Sequence, residues 1–190
     1  MEAYFFKEVD GDLISLALQG NFDVIAHGCN CWCTMGAGLA PQMADAFACD
    51  KYIMEAKEYK GSVNKLGSIN YASTYIKEGE EHKSYTVNKT NELWESQGWR
   101  KIYIVNAYTQ FSFGTRIGAP VDYEAITLCL RKMNHIFKGK HIGLPEIGCG
   151  LAGGDWEIVK EIMREELQDV NVTIVHYKPA ENVFNNKEEL

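Results

Sequence analysis

Two glycine-rich segments of this chain combine residues that can bind an anion with side chains that can move protons. Residues 27–40 read HGCNCWCTMGAGLA, and residues 144–156 read LPEIGCGLAGGDW. Glycine lets backbone N–H groups approach an anion and adopt positive φ. His27 is a candidate base or nucleophile because imidazole titrates near neutral pH, and Asp155 could position a water or act as an acid. The alternatives are a structural histidine at a strand end and an ordinary helix N-cap.

Neither segment is a common nucleotide-binding motif. No G-x-x-x-x-G-K-[ST] sequence is present, which excludes a P-loop. The GAGLAP stretch lacks the full G-x-G-x-x-G pattern, and no acidic residue ends a second strand roughly 20 residues further on. A Rossmann dehydrogenase is therefore a poor fit.

The charge of the chain indicates how a phosphate would be held. The net charge is −7 and the pI is near 5.3, with 19 Lys and Arg scattered among 26 Asp and Glu. Nucleic-acid-binding domains usually carry a basic patch or stripe. We therefore expect no nucleic-acid partner except as a modified substrate, and we expect backbone amides and helix N-termini to hold any phosphate.

The cysteines and the apolar runs bear on metal binding and location. Cys29, Cys31 and Cys33 alternate, which raises the alternative of a zinc site, but the other three cysteines are isolated and supply no second ligand pair. We expect no metal, no cofactor and six free thiols. The N-terminal residues do not resemble a signal peptide and no apolar run is long enough for a membrane span, so we expect a cytoplasmic monomer without a membrane partner.

Strand-like and helix-like stretches alternate, which predicts an α/β fold. The predicted strands are residues 4–9, 23–27, 68–76, 85–88, 101–107, 141–145 and 170–177, and the predicted helices are 39–47, 121–137 and 155–167. Both glycine-rich segments follow a strand and precede a helix, where open α/β sheets bind ligands. We predict one domain over residues 1–178 and a polar tail over 179–190, and we interpret His135 and His176 as structural.

Three segments in this order resemble the macro domain family. They are Gly11-Asp12-Leu13, the stretch from His27 to Asn30 with residues 35–40, and residues 144–153. The resemblance covers roughly residues 3–177. It is closest to the branch that contains the yeast-type ADP-ribose-1″-phosphate phosphatase and the terminal ADP-ribose protein glycohydrolase. It implies a three-layer α/β/α fold with a central mixed sheet.

The resemblance also implies a ligand, ADP-ribose or ADP-ribose-1″-phosphate, and the residues that bind it. Asp12 would accept from the adenine amino group, Asn30 would contact the distal ribose, residues 35–40 would line that ribose, and residues 147–153 would wrap the diphosphate. The implied ligand-binding residues are Gly11, Asp12, Leu13, Gly28, Cys29, Asn30, Met35, Gly36, Ala37, Gly38, Leu39, Ala40, Ile147, Gly148, Cys149, Gly150, Leu151, Ala152 and Gly153.

Two departures from the glycohydrolase members bear on the reaction. Ala152 stands where those members have an Asp, and residues 106–114 contain no Lys. The resemblance is therefore closer to the phosphatase members and implies a hydrolase that removes the phosphate of ADP-ribose-1″-phosphate without a metal, with His27 as base or nucleophile. Asp155 is the second candidate catalytic residue, on the strength of its own position in the sequence. The alternatives are a hydrolase of ADP-ribosylated protein or nucleic acid and a reader that binds ADP-ribose without turnover.

Overall fold

The computed structural model describes residues 4–51, 60–77, 97–113 and 121–178. The strands are β1 Phe6–Gly11, β2 Val24–Asn30, β3 Ile69–Ile76, β4 Arg100–Gln110, β5 His141–Leu144 and β6 Asn171–Tyr177. The helices are α1 Leu13–Leu18, α2 Ala40–Phe47, α3 Tyr123–Ile136 and α4 Trp156–Glu166, with a 3₁₀ turn at Val63–Lys65. The predicted strand at 85–88 and the predicted tail at 179–190 lie outside the described residues.

The six strands form one mixed sheet in the order β1-β6-β5-β2-β4-β3. Neighbouring strands are parallel except for β3, which runs antiparallel to β4. Because the five parallel strands point the same way, their carboxyl ends and the loops that follow lie at one edge of the sheet. The predicted α/β fold with a central mixed sheet is confirmed.

Helices cover both faces of the sheet, and alternation along the strands fills both cores. In β2, Val24 and Ala26 belong to one hydrophobic cluster and Ile25 to the other. The first cluster includes the buried faces of α3 and α4, and the second includes those of α1 and α2. This arrangement gives the three layers that the resemblance implied.

The structure corrects the prediction near the N-terminus. The first strand is Phe6–Gly11 rather than 4–9, because Phe6 through Gly11 pair in register with Val172 through Tyr177 of β6. Helix α1 was not predicted. Its six residues are too few to show a helical period, yet Asp12 caps it by accepting a hydrogen bond from the Ser15 amide at 2.7 Å.

Strand β2 is also longer than predicted. It continues to Asn30, pairing with β4 as far as Gln110, so residues 28–30 belong to the strand and not to a loop. The predicted N-cap at Asp155 is confirmed, since its carboxylate accepts from the amides of Glu157 and Ile158 at the start of α4. No helix within the described ranges is long and apolar enough to cross a membrane.

Candidate functional site

A cleft of about 590 Å³ lies at the carboxyl ends of β2, β4 and β5. This volume is in the range of about 300–1,000 Å³ that small-molecule sites occupy. Both glycine-rich segments contribute to its walls. The lining residues are His27, Gly28, Asn30, Thr34, Gly36, Ala37, Gly38, Leu39, Ala40, Gln110, Phe113, Pro145, Glu146, Ile147, Gly148, Gly150, Leu151 and Ala152.

Backbone amides of both segments lack hydrogen-bond partners among the described residues. The N–H groups of Gly148, Gly150, Leu151 and Ala152 donate to no described residue, although those of the intervening Cys149 and the following Gly153 close turns within the loop. On the facing segment, the amides from Gly36 to Ala40 are likewise without a partner among the described residues, and Ala40 begins helix α2. Amides grouped in this way attract an anion.

The start of the first loop is fixed by its own hydrogen bonds. Asn30 Nδ2 donates to the Thr34 carbonyl at 3.0 Å, the Thr34 amide donates to Asn30 Oδ1 at 3.3 Å, and the Cys33 amide donates to the Asn30 carbonyl at 3.0 Å. Cys33 adopts φ +57° in this turn. The amide group of Asn30 therefore shapes the loop, and its predicted contact with a ribose stays a prediction.

His27 lies at the floor of the cleft with its ring turned into the protein. Only 1% of the residue is exposed, and Nε2 lies 2.6 Å from Oδ1 of the fully buried Asn106 on β4. Asn106 Nδ2 donates to the Cys49 carbonyl, so Oδ1 faces the ring and Nε2 carries the hydrogen. Burial lowers the pKa of His27 to about 4, although the bond to Asn106 opposes the shift. The imidazole is neutral at neutral pH.

This burial predicts a loss of stability in acid. Because the folded-state pKa of His27 is about 4 and the unfolded value is 6.5, the unfolded chain binds a proton first as the pH falls. The free energy of unfolding should drop by about 1.5 kcal/mol between pH 6.5 and pH 5 through this group. Urea unfolding of the wild type and of His27→Gln at both pH values measures it.

The comparison with His27→Gln removes the contributions of other histidines, which both proteins share. His141 also has a lowered pKa, from burial first, and His176 a raised one. Equal pH dependence of the two proteins would contradict a neutral, buried His27.

Glu146, two residues after the end of β5, is the one carboxylate among the described residues that line the cleft. Oε1 of Glu146, which is separated from the end of β5 by Pro145, lies 3.1 Å from Nδ1 of His176 on β6, and the other ring nitrogen, Nε2, lies 3.0 Å from Oε2 of Glu8 on β1. Lys160 of α4 pairs with Glu8. Burial alone would lower the pKa of His176, but the bonds to Glu8 and Glu146 outweigh it and raise that pKa.

Most of the predicted ligand-binding residues of the two glycine-rich segments line the cleft, but several do not. The predicted residues away from the lining are Gly11, Asp12, Leu13, Cys29, Met35, Cys149 and Gly153. Cys29 is buried beside His27, and Met35 and Cys149 pack against the two cores. The predicted catalytic Asp155 caps α4 outside the lining.

Sequence reasoning missed five lining residues, Thr34, Gln110, Phe113, Pro145 and Glu146. Pro145 and Glu146 belong to the second glycine-rich segment, and this position in the sequence could have identified them as lining residues. Gln110 was missed because β4 extends to this residue, whereas the predicted strand ended at residue 107. All six cysteines are free thiols, as predicted, and burial raises the pKa of Cys149 to about 11. Within the described ranges, no group of three or more His, Cys, Asp or Glu could hold a metal ion.

Comparison with known proteins places the chain in a family. No protein-family profile matches it. An uncharacterised 17.5 kDa protein from the tk–vs intergenic region of Enterobacteria phage T4 is 32% identical over 180 residues, which cover 91% of this chain and 97% of that protein. The chain belongs to the family of this phage protein.

Solved structures identify the fold of this family member as that of the macrodomains. The macrodomain of Thermus aquaticus DarG superposes with a TM-score of 0.61 at 22% identity, covering 92% of this chain and 99% of that one. Thermosipho africanus DarTG, solved in complex with ADP-ribose, superposes with a TM-score of 0.60 at 20% identity, covering 92% of this chain and 41% of that one. At these identities the likeness establishes the fold alone.

Proposed function

We propose that the chain binds ADP-ribose in this cleft and hydrolyses the phosphate ester of ADP-ribose-1″-phosphate. The observation that carries the proposal is the pair of facing loops whose amides have no partner among the described residues. No Lys or Arg of the described chain lines the cleft, so these amides are its means of holding a diphosphate. The similar DarTG protein of T. africanus is in complex with ADP-ribose.

The adenine is assigned to the edge of the sheet formed by β1 and β6. Tyr177, 65% exposed, ends β6 opposite Gly11, the last residue of β1. An exposed aromatic ring offers a stacking surface to a base. Asp12 follows Gly11, and only Oδ1 of its carboxylate is used in capping α1, so Oδ2 can accept a hydrogen bond from the adenine amino group.

Once the adenine is placed at the edge formed by β1 and β6, the positions of the diphosphate and the distal ribose follow. The diphosphate lies over the free amides of Gly148, Gly150, Leu151 and Ala152, and the distal ribose lies toward Asn30 and the Gly36–Ala40 side of the cleft. A phosphate on the distal ribose then meets the amides of Gly36 to Gly38. These donors would stabilise the negative charge that develops on the phosphoryl oxygens.

The proposed reaction adds water across the phosphate ester. A water oxygen attacks phosphorus, the bond between phosphorus and the ribose oxygen breaks, and the products are ADP-ribose and inorganic phosphate. His27 is the one imidazole on the lining in the described part of the chain, which supports it as the candidate base, and its unprotonated nitrogen is Nδ1. Because the residue is only 1% exposed, this role requires the ring to turn toward the cleft. Asp155 keeps its proposed role only if it moves from its cap on α4.

A phosphate-release assay tests the reaction. The purified chain is incubated with ADP-ribose-1″-phosphate, and inorganic phosphate is measured for the wild type, His27→Gln and Asp155→Asn. We expect release by the wild type and a loss of at least about tenfold in His27→Gln if the imidazole takes the proton. Full activity in His27→Gln would remove His27 from the mechanism.

Other outcomes of the same assay would replace the proposed reaction. Tight ADP-ribose binding without phosphate release would make the protein a reader. Release of ADP-ribose from modified protein or DNA, without phosphatase activity, would make it an ADP-ribosyl hydrolase.

A further inference from the structure

Glu146 is a carboxylate in a cleft that is otherwise suited to an anion. The other described lining residues are neutral side chains and glycines, so a negatively charged ligand must place a group that can donate a hydrogen bond against this side chain. Its side chain is 41% exposed, so it is accessible from the cleft. A phosphate oxygen facing it would bring two acceptors together without a proton between them.

His176 fixes the position of the Glu146 side chain by a hydrogen bond to its carboxylate. The ring of His176 contacts a carboxylate at each nitrogen, Glu146 at Nδ1 and Glu8 at Nε2, and both contacts are hydrogen bonds only if both nitrogens carry a hydrogen. Trp156 of α4 packs edge-on against this ring at 5.7 Å. Lys160 holds Glu8 from the same helix. The carboxylate of Glu146 is thus anchored through Oε1.

The second oxygen of this carboxylate is available to a ligand. Oε2 of Glu146 accepts no hydrogen bond from any described residue. A fixed carboxylate with one uncommitted oxygen is suited to a hydroxyl of a ribose, which is how acidic residues recognise the ribose 2′-hydroxyl in dinucleotide-binding folds.

The order of the groups along the ligand selects which ribose meets Glu146. Glu146 follows β5, and its partners His176 and Glu8 lie on β6 and β1, toward the edge where Asp12 and Tyr177 lie. The free amides begin two residues after Glu146, at Gly148. In the proposed binding mode, the group between the adenine and the diphosphate is the adenosine ribose.

We propose that Glu146 accepts hydrogen bonds from the 2′,3′-diol of the adenosine ribose and so restricts the cleft to ligands whose adenosine ribose is unsubstituted. This inference rests on the proposed binding of ADP-ribose. It makes Glu146, at the start of the second glycine-rich segment, a specificity-determining residue. ADP-ribose 2′-phosphate, which replaces the donor hydroxyl by acceptor oxygens, is then rejected.

Calorimetric titration at pH 7 with ADP-ribose and ADP-ribose 2′-phosphate tests this inference. For the wild type we expect the 2′-phosphate to bind at least about tenfold more weakly, because a site built for a hydroxyl is left with an unpaired acceptor. Glu146→Gln keeps an acceptor for His176 and adds an NH₂ donor for a phosphate. The ratio should then fall to about threefold or less, because the amide can donate to a phosphate as well as accept from a hydroxyl.

Glu165→Gln is the matched control. It removes the same charge from an exposed position in the last turn of α4, outside the cleft lining, and should keep the wild-type ratio. Equal affinity of the wild type for both ligands, or a ratio unchanged in Glu146→Gln, would overturn the role of Glu146 while leaving ADP-ribose binding intact. No binding of ADP-ribose by the wild type would instead overturn the proposed function itself and this role with it.

Discussion

Gly36→Glu should weaken ADP-ribose binding by at least about 100-fold while the protein remains folded. Gly36 lines the cleft, its φ is not in the positive region, and a Cβ placed there meets no atom within 4 Å. A larger side chain therefore enters the cleft and not the core. Its carboxylate would repel the diphosphate and cover the amides from Gly36 to Gly38.

The control for this prediction is Ile136→Glu. It adds the same charge at an exposed position at the end of α3, outside the cleft lining. Calorimetric titration should give wild-type affinity for this control, and thermal unfolding should show all three proteins folded. Wild-type affinity in folded Gly36→Glu would mean that ADP-ribose does not occupy the cleft between the two loops.

Gly148→Ala should lower the free energy of unfolding by about 2–4 kcal/mol. Gly148 has φ +78°, and a Cβ there would lie 2.6 Å from Cγ2 of Val121 and 3.3 Å from Cδ1 of Ile126. Val121 cannot turn aside easily, because a β-branched side chain is stiff at χ1 and its amide is bonded to the Ala152 carbonyl. The substitution thus combines backbone strain with a clash.

Gly139→Ala separates these two effects. Gly139 has nearly the same φ, +79°, but a Cβ there meets nothing within 4 Å. It should therefore lose only about 1 kcal/mol, from the unfavourable φ alone. Urea unfolding of both variants measures the difference. Equal losses would show that contact with Val121 does not require glycine at position 148.

Local sequence patterns were sufficient to predict the elements whose burial repeats along the chain. Helix α3 shows its apolar face at Ile126, Leu130 and Met133, all buried, and β4 contains the apolar run Ile102–Val105. Helix α1 has only six residues, too short for a period to emerge, and Asp12, which caps it, was predicted only as an adenine contact. The ends of β1 and β2 depended on pairing with β6 and β4, which the local sequence does not specify.

The candidate site also has features that the local sequence indicated and others that it did not. The glycine-rich segments indicated both walls of the cleft, since glycines at strand–helix junctions are visible in the sequence. Individual residues within them were harder to assign, because Cys29 and Cys149 turn inward while their neighbours Gly28 and Gly150 face the cleft. The His27–Asn106 and Glu146–His176 bonds join residues 79 and 30 positions apart, and only the strand order brings them together.

Calorimetric titration of the purified chain with ADP-ribose tests the central claim most directly. Saturable binding of one ligand per chain, lost in Gly36→Glu and kept in Ile136→Glu, is the result that the two facing loops predict. Absence of measurable binding by the folded wild-type protein would contradict the assignment of this cleft to ADP-ribose.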